Sequence, residues 1–231
     1  MRTQDLILGN PFYTGGSDVN EIVPEGGFGA VLSRAGVGKT AFVVQLALNS
    51  MLRGKNVLHI SLGDSIEKVS LWYHEQFQRL SGECSIEERP KLWEEILPHR
   101  FIMTFKISKF NVPVLEERLT DLTAQNIFHP SIIIIDGFSF DNPEKQEFSE
   151  LKALACKYKL QLWFTVHTHP DETIENSSGR LLQVLELFDV ALELKPHGAE
   201  VHIIALKNPG LRAIDTKLRL DPSTMLIKNF E

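Results

Sequence analysis

Cysteine is scarce in this chain: two residues, Cys84 and Cys156, among 231. Two thiols build neither a disulfide framework nor a four-ligand zinc site. Long apolar runs are missing as well, and no uninterrupted stretch approaches the roughly 20 residues that cross a bilayer as a helix. The opening MRTQDLILGNPF has no basic stretch leading into a long apolar one, so a secretory signal is not expected and a cytoplasmic protein is. Basic charge is in deficit, with 24 Lys and Arg against 30 Asp and Glu and a formal net charge of −6. A dedicated nucleic-acid binder carries a basic excess or stripe, so the balance weighs against that class. There is no internal repeat and no low-complexity segment.

What remains is ordinary globular material, 43% hydrophobic and 23% charged, with enough apolar side chain for a sizeable core. The length suits one large domain, or at most two small ones. Turn signals at Asn10-Pro11, Gly15-Gly16 and Pro24-Glu25-Gly26 mark residues 1–25 as a lead-in, with a single domain expected over 26–231.

The most informative stretch runs from Gly26 to Leu48, GGFGAVLSRAGVGKTAFVVQLAL. A short apolar strand (Phe28, Ala30, Val31, Leu32) feeds a loop of mostly small residues, Ser33-Arg34-Ala35-Gly36-Val37-Gly38, and then Lys39-Thr40-Ala41 opens an apolar helix. Strand, glycine loop and helix in this order make a phosphate-binding loop of the Walker A type. Glycines let backbone N–H groups curl around phosphate oxygens, and the helix turns its positive end toward them. Lys39 is expected to reach the outer phosphates and the Thr40 hydroxyl to hold Mg²⁺. The pattern asks for glycine where this chain has Ser33, which is tolerable only if Ser33 keeps a negative φ.

Strands and helices then alternate. Asn56–Leu62 reads as a central parallel strand, with Asp64 as cap of a helix whose apolar face is Ile66, Val69, Tyr73, Phe77 and Leu80. Ser85 and Glu88 have capping-box spacing for a further helix, with Pro90 as the alternative start, and Trp72 and Trp93 read as packing anchors. Phe101–Ile107 is expected as a strand and Asn111–Gln125 as a helix with Pro113 in its first turn. Ser131–Gly137 (SIIIIDG) is a strand buried on both faces that ends in the carboxylate of Asp136. A helix from Asn142 and Pro143 through Tyr158 follows, then a strand Leu160–Val166 ending at His167. A further helix over Gly179–Phe188 precedes a hairpin, with Val190–Leu194 and Val201–Leu206 as its strands and Lys195–Ala199 as its turn. Two short strand-like pieces, Lys217–Leu220 and Met225–Ile227, finish the chain. The fold class is therefore α/β, a mostly parallel sheet with helices on both faces and an antiparallel C-terminal hairpin.

Ligands of open α/β sheets sit at the carboxyl ends of the strands. The loop at 33–40, Asp64, Asp136 and His167 all fall there. Asp136 reads as the Walker B carboxylate, a ligand of Mg²⁺ together with Thr40. His167, His169 and Asp171 are the one other cluster with metal-ligand character, and three candidates without a second cluster make a weak site.

The motifs SRAGVGKT at 33–40, VLHISLGDS at 57–65, PSIIIIDGFS at 130–139, LWFTVHTH at 162–169, LFDVALEL at 187–194 and VHIIALKN at 201–208, in this order and spacing, resemble the RecA-like P-loop ATPase superfamily, in its RadA, KaiC and DnaB-helicase-core branch. The resemblance implies a RecA-like core that assembles side by side as a homo-oligomer, often a hexameric ring, with ATP between neighbours. It also implies roles. Asp64 lies at the position of the glutamate that activates water, and His167 at that of the γ-phosphate sensor. Lys207 falls in the segment that reaches a neighbour's ATP, with Arg212 close enough to substitute for the arginine the segment lacks. The sequence departs from the family at Ser33, at Gly63-Asp64 and at Lys207-Asn208-Pro209. Losing a general base or an arginine finger lowers turnover by about 10²- to 10⁵-fold. The expected function is thus ATP binding with slow hydrolysis at subunit interfaces, regulating a protein partner. A DNA-stimulated helicase or recombination accessory and a nucleotide binder without turnover are the alternatives.

Overall fold

The computed structural model describes residues 13–14, 17–18, 23–82, 84–138, 145–168, 185–198, 200–207 and 218–229. The expected helix start at Asn142-Pro143 and most of the helix at 179–188 lie outside them. Within the lead-in, Tyr13–Thr14 and Ser17–Asp18 pair as a small antiparallel ribbon.

Among the described residues nine strands form one mixed sheet: β1 (Phe28–Ser33), β2 (Val57–Ser61), β3 (Arg100–Thr104), β4 (Ile132–Asp136), β5 (Gln161–His167), β6 (Val190–His197), β7 (Glu200–Lys207), β8 (Leu218–Leu220) and β9 (Ile227–Asn229). Their order across the sheet is β9-β8-β7-β6-β1-β5-β4-β2-β3. From β6 to β3 the pairing is parallel, and from β6 outward to β9 it is antiparallel. The helices that cover the sheet among the described residues are α1 (Lys39–Leu52), α2 (Ile66–Leu80), α3 (Glu88–Ile96), α4 (Val112–Ala124) and α5 (Lys145–Tyr158). No helix among the described residues is long and apolar enough to cross a membrane.

Side chains of a strand alternate between faces, and here the alternation divides the core in two. Val31, Val57, Ile132, Ile134 and Trp163 pack on the side of α1, α2 and α3. Ala30, Leu32, Leu58, Ile133, Ile135 and Phe164 pack on the side of α4 and α5. With apolar residues needed on both faces, β1 and β4 read as continuous hydrophobic runs rather than alternating ones. Gly29 is a packing requirement, because a Cβ there would lie 2.7 Å from the Trp163 ring on the neighbouring strand. Helix α1 is buried from Ala41 to Leu52 on every side, as its all-round apolar sequence requires.

Several boundaries differ from expectation. Ser65, not Asp64, caps α2: its Oγ accepts from the Lys68 amide, while Asp64 accepts from the Lys68 ammonium at 2.7 Å. Strand β3 stops at Thr104, where its partner β2 stops at Ser61, and a 3₁₀ turn over Ile107–Lys109 follows. The hairpin strands run longer than expected. Lys195, Pro196 and His197 pair with His202, Val201 and Glu200, and Gly198 follows at φ +61°. The last strand occupies Ile227–Asn229 rather than 225–227. Elsewhere the local rules hold. Asn111 Oδ1 caps α4 by accepting from the Val114 amide at 2.9 Å, and Ser85 and Glu88 exchange the two bonds of a capping box.

Candidate functional site

The parity that builds the core also places the polar groups. Asp136 is two residues beyond Ile134 on β4, and Thr165 is two beyond Trp163 on β5, so both face α1 at the carboxyl end of the sheet. Strand β5 lies between β1 and β4, which sets the start of α1 over the end of β4. Thr40, in the first turn of α1, then donates its hydroxyl to Asp136 Oδ2 at 2.9 Å across 96 residues of sequence. Thr165 donates to Asp136 Oδ1 at 2.6 Å and itself accepts from the Gly137 amide at 2.9 Å. The carboxylate is held at both oxygens, one by each neighbouring element. Oxygen donors alone, a hydroxyl beside a carboxylate, are the ligand chemistry of a hard cation such as magnesium.

The loop between β1 and α1 is shaped by Gly36 at φ +77° and Gly38 at φ +116°. A side chain at Gly38 would also meet the Leu220 methyl at 2.6 Å. Ser33 stays in the strand conformation at the loop's corner, buried, without positive φ. Its Oγ donates to Arg34 O at 3.0 Å. Arg34, Ala35 and Gly36 are exposed, while Val37 packs into the core and pins the loop's far side. The first backbone bond of α1 runs from the Phe42 amide to Gly38 O, and no side chain caps the helix. The amides of Lys39, Thr40 and Ala41 therefore have no acceptor within the helix, and its positive end is open toward the loop.

Lys39 folds back over this loop. Its Nζ donates to Ser33 O at 2.8 Å, to Arg34 O at 2.9 Å and to Ser33 Oγ at 3.3 Å. Burial holds its pKa below the usual lysine value, with the Asp136 charge partly opposing. The ammonium thus sits among neutral acceptors next to a row of amides, an arrangement that an anion improves electrostatically.

Beneath Asp136 lies His59, fully buried at the centre of β2. Its Nδ1 is 3.1 Å from the Tyr73 hydroxyl of α2. Its Nε2 is 4.0 Å from Asp136 Oδ2 and has no hydrogen-bond partner among the described residues. Burial lowers the imidazole pKa to about 4, against the opposing pull of Asp136, so the ring is neutral at pH 7. The Arg100 guanidinium lies over the Tyr73 ring at 4.8 Å, and burial raises the phenol pKa. Sequence reading passed over both His59 and Thr165 as strand residues. The available signal was a polar side chain inside a buried strand, His59 between Leu58 and Ile60 and Thr165 between Phe164 and Val166.

The other expected residues are placed as follows. Asp64 is at the end of β2, with its amide donating to Ser61 Oγ at 2.9 Å and its carboxylate taken by Lys68. His167, exposed at the end of β5, is the register partner of Ser33, and Thr168 donates its amide to Ser33 O. Lys207 is carried by the antiparallel return to the end of the sheet where β1 begins, remote from the loop of its own chain. There its Nζ donates to Leu185 O and Glu186 O at 3.1 and 3.2 Å. Arg212, His169 and Asp171 lie outside the described residues. Among the described residues no three His, Cys, Asp or Glu gather in a metal-binding cluster. A cleft of about 380 Å³ between α4 and α5, lined by Val112, Glu116, Glu150 and Lys157, is spanned by the Lys157–Glu116 ion pair. It lies on the opposite face of the sheet from α1, without convergent groups comparable to those around Asp136. Searches of protein-family models and of curated proteins found no match to this chain.

Proposed function

We propose that this chain is a RecA-like protein that binds Mg·ATP at the 33–41 loop and hydrolyses it slowly, using occupancy at subunit interfaces to regulate a protein partner. The single observation that carries the reading is the Thr40–Asp136 hydrogen bond at 2.9 Å. It brings the hydroxyl that follows the glycine-lysine pair against the carboxylate that ends the buried strand β4, two places along the sheet from β1. The uncapped start of α1 and the positive φ of Gly36 and Gly38 support it independently, since these features suit backbone amides to phosphate oxygens.

In this reading Lys39 leaves Ser33 O and Arg34 O to pair with phosphate, and Thr40 and Asp136 supply the protein's oxygens to the cation. Bound magnesium supplies charge neutralisation at the outer phosphates. Thr165 fixes Asp136 through Oδ1 and leaves Oδ2 toward Thr40. Asp64, engaged by Lys68, is a short and already paired candidate for the base, which favours slow turnover and makes binding without turnover the second reading. Nothing in the arrangement favours the DNA-stimulated reading over these. Binding of a fluorescent ATP analogue in magnesium buffer tests the proposal. Wild type should bind, and Lys39→Ala should weaken binding at least tenfold, whereas equal behaviour of the two proteins removes it.

A further inference from the structure

The binding reading uses two of the groups around Asp136 and leaves a third without a task. We propose that His59 is a positioning residue for Asp136, its Nε2–H acting as a third donor that fixes the carboxylate for the magnesium of Mg·nucleotide; this rests on the ATP-binding reading above. The geometry narrows the tautomer. Nδ1 faces the Tyr73 hydroxyl at 3.1 Å, and Nε2 lies 4.0 Å from Asp136 Oδ2 with no hydrogen-bond partner among the described residues. If Nδ1 carried the proton, the Nε2 lone pair would be aimed at a carboxylate inside the protein, a repulsive pairing in a poorly screened place. With Tyr73 O–H donating to Nδ1, the proton sits on Nε2 and points at Oδ2.

A buried N–H left without an acceptor is costly, so it needs a partner in some state of the protein. Asp136 is the group it faces. Its Oδ1 is committed to Thr165 and its Oδ2 to Thr40. When the Thr40 oxygen turns toward a cation, Oδ2 is free to drop about 1 Å and take the His59 proton at ordinary hydrogen-bond distance. The carboxylate is then held from below by His59 and from the side by Thr165, with its outward lone pairs directed at the metal shell. Groups in this relation to a metal ligand are worth about 10- to 100-fold in metal affinity.

The experiment measures affinity of the full chain for a fluorescent ADP analogue in EDTA and in magnesium, for wild type, His59→Leu, His59→Gln and Tyr73→Phe, with melting curves for each. The expected result is a magnesium-dependent gain in wild type, cut about tenfold in His59→Leu and restored in part by His59→Gln, which keeps a donor near the Nε2 position. Metal-free affinity should stay within about twofold. A ¹⁵N spectrum of the wild-type histidines should show His59 protonated at Nε2, its proton shifting downfield with Mg·ADP. If His59→Leu does not fold, Tyr73→Phe and the ¹⁵N spectrum decide, and an Nδ1–H tautomer overturns the proposal. Equal magnesium gains in wild type and a folded His59→Leu overturn it alone, as does a loss shared by metal-free and magnesium-bound forms. Absence of nucleotide binding by wild type overturns the ATP-binding reading and this inference with it.

Discussion

Replacing His59 by Gln should flatten the acid side of the stability curve. In the folded chain the imidazole pKa is lowered from 6.5 to about 4 by burial. Between those values the unfolded chain binds a proton that the folded chain refuses, so stability is present above pH 6.5 and is lost as pH falls toward 4. A separation of roughly 2.5 pH units corresponds to about 3 kcal/mol when complete, about 2 kcal/mol of it already lost between pH 7 and pH 5. Carboxylates elsewhere in the chain also respond to acid, and the difference between the two proteins cancels those that do not interact with position 59. Urea unfolding of wild type and His59→Gln at pH 7, 6 and 5 provides the assay, with the free-energy difference plotted against pH. The mutant loses some stability at pH 7 from imperfect replacement of the Tyr73 bond. Its deficit should shrink by about 2 kcal/mol on going to pH 5. A deficit that stays constant with pH would refute the claim that His59 is held neutral beneath Asp136.

Three other perturbations follow from the packing around the loop. Gln45 donates to Met225 O at 2.6 Å and accepts from the Ile227 amide at 2.8 Å, so Gln45→Leu should cost about 1–3 kcal/mol for each backbone group stranded. Faster hydrogen exchange confined at first to Leu218–Leu220 and Ile227–Asn229 would report it. Gly38→Ala meets both φ +116° and the Leu220 methyl, and should lower stability by about 1–3 kcal/mol while weakening nucleotide binding; unchanged unfolding midpoints would contradict the geometry. Asn111→Ala removes the cap of α4 and should cost about 1 kcal/mol in chemical denaturation, with nucleotide affinity unaffected.

The elements around the loop were legible because local and global demands coincide there. Residues 28–52 carry strand, glycine turn and buried helix signals in direct succession, and the run Ile132–Ile135 needs burial on both faces to make sense of its lack of alternation. Strand order was not legible. That β5 separates β1 from β4 is a non-local outcome, and it is what brings Thr40 to Asp136. Pro196 illustrates a misleading local signal. It suggests a turn, but β6 pairs with β1 only as far as Glu193, so a missing N–H beyond that point breaks no ladder on that side. Asp64 and Ser65 compete for the same cap, and the extended conformation of Ser65, at φ −73° and ψ 162°, gives it to the hydroxyl. His59 and Thr165 escaped notice because their roles appear only when two strands and a helix stand side by side.

The most direct test is a crystal structure of the chain grown with magnesium and a non-hydrolysable ATP analogue. The account predicts the triphosphate against the amides of residues 34–41, Lys39 Nζ drawn off Ser33 O and Arg34 O onto phosphate oxygens, and the cation between the Thr40 hydroxyl and Asp136. An analogue bound elsewhere, or a Lys39 that keeps its three loop acceptors at saturating ligand, would contradict it.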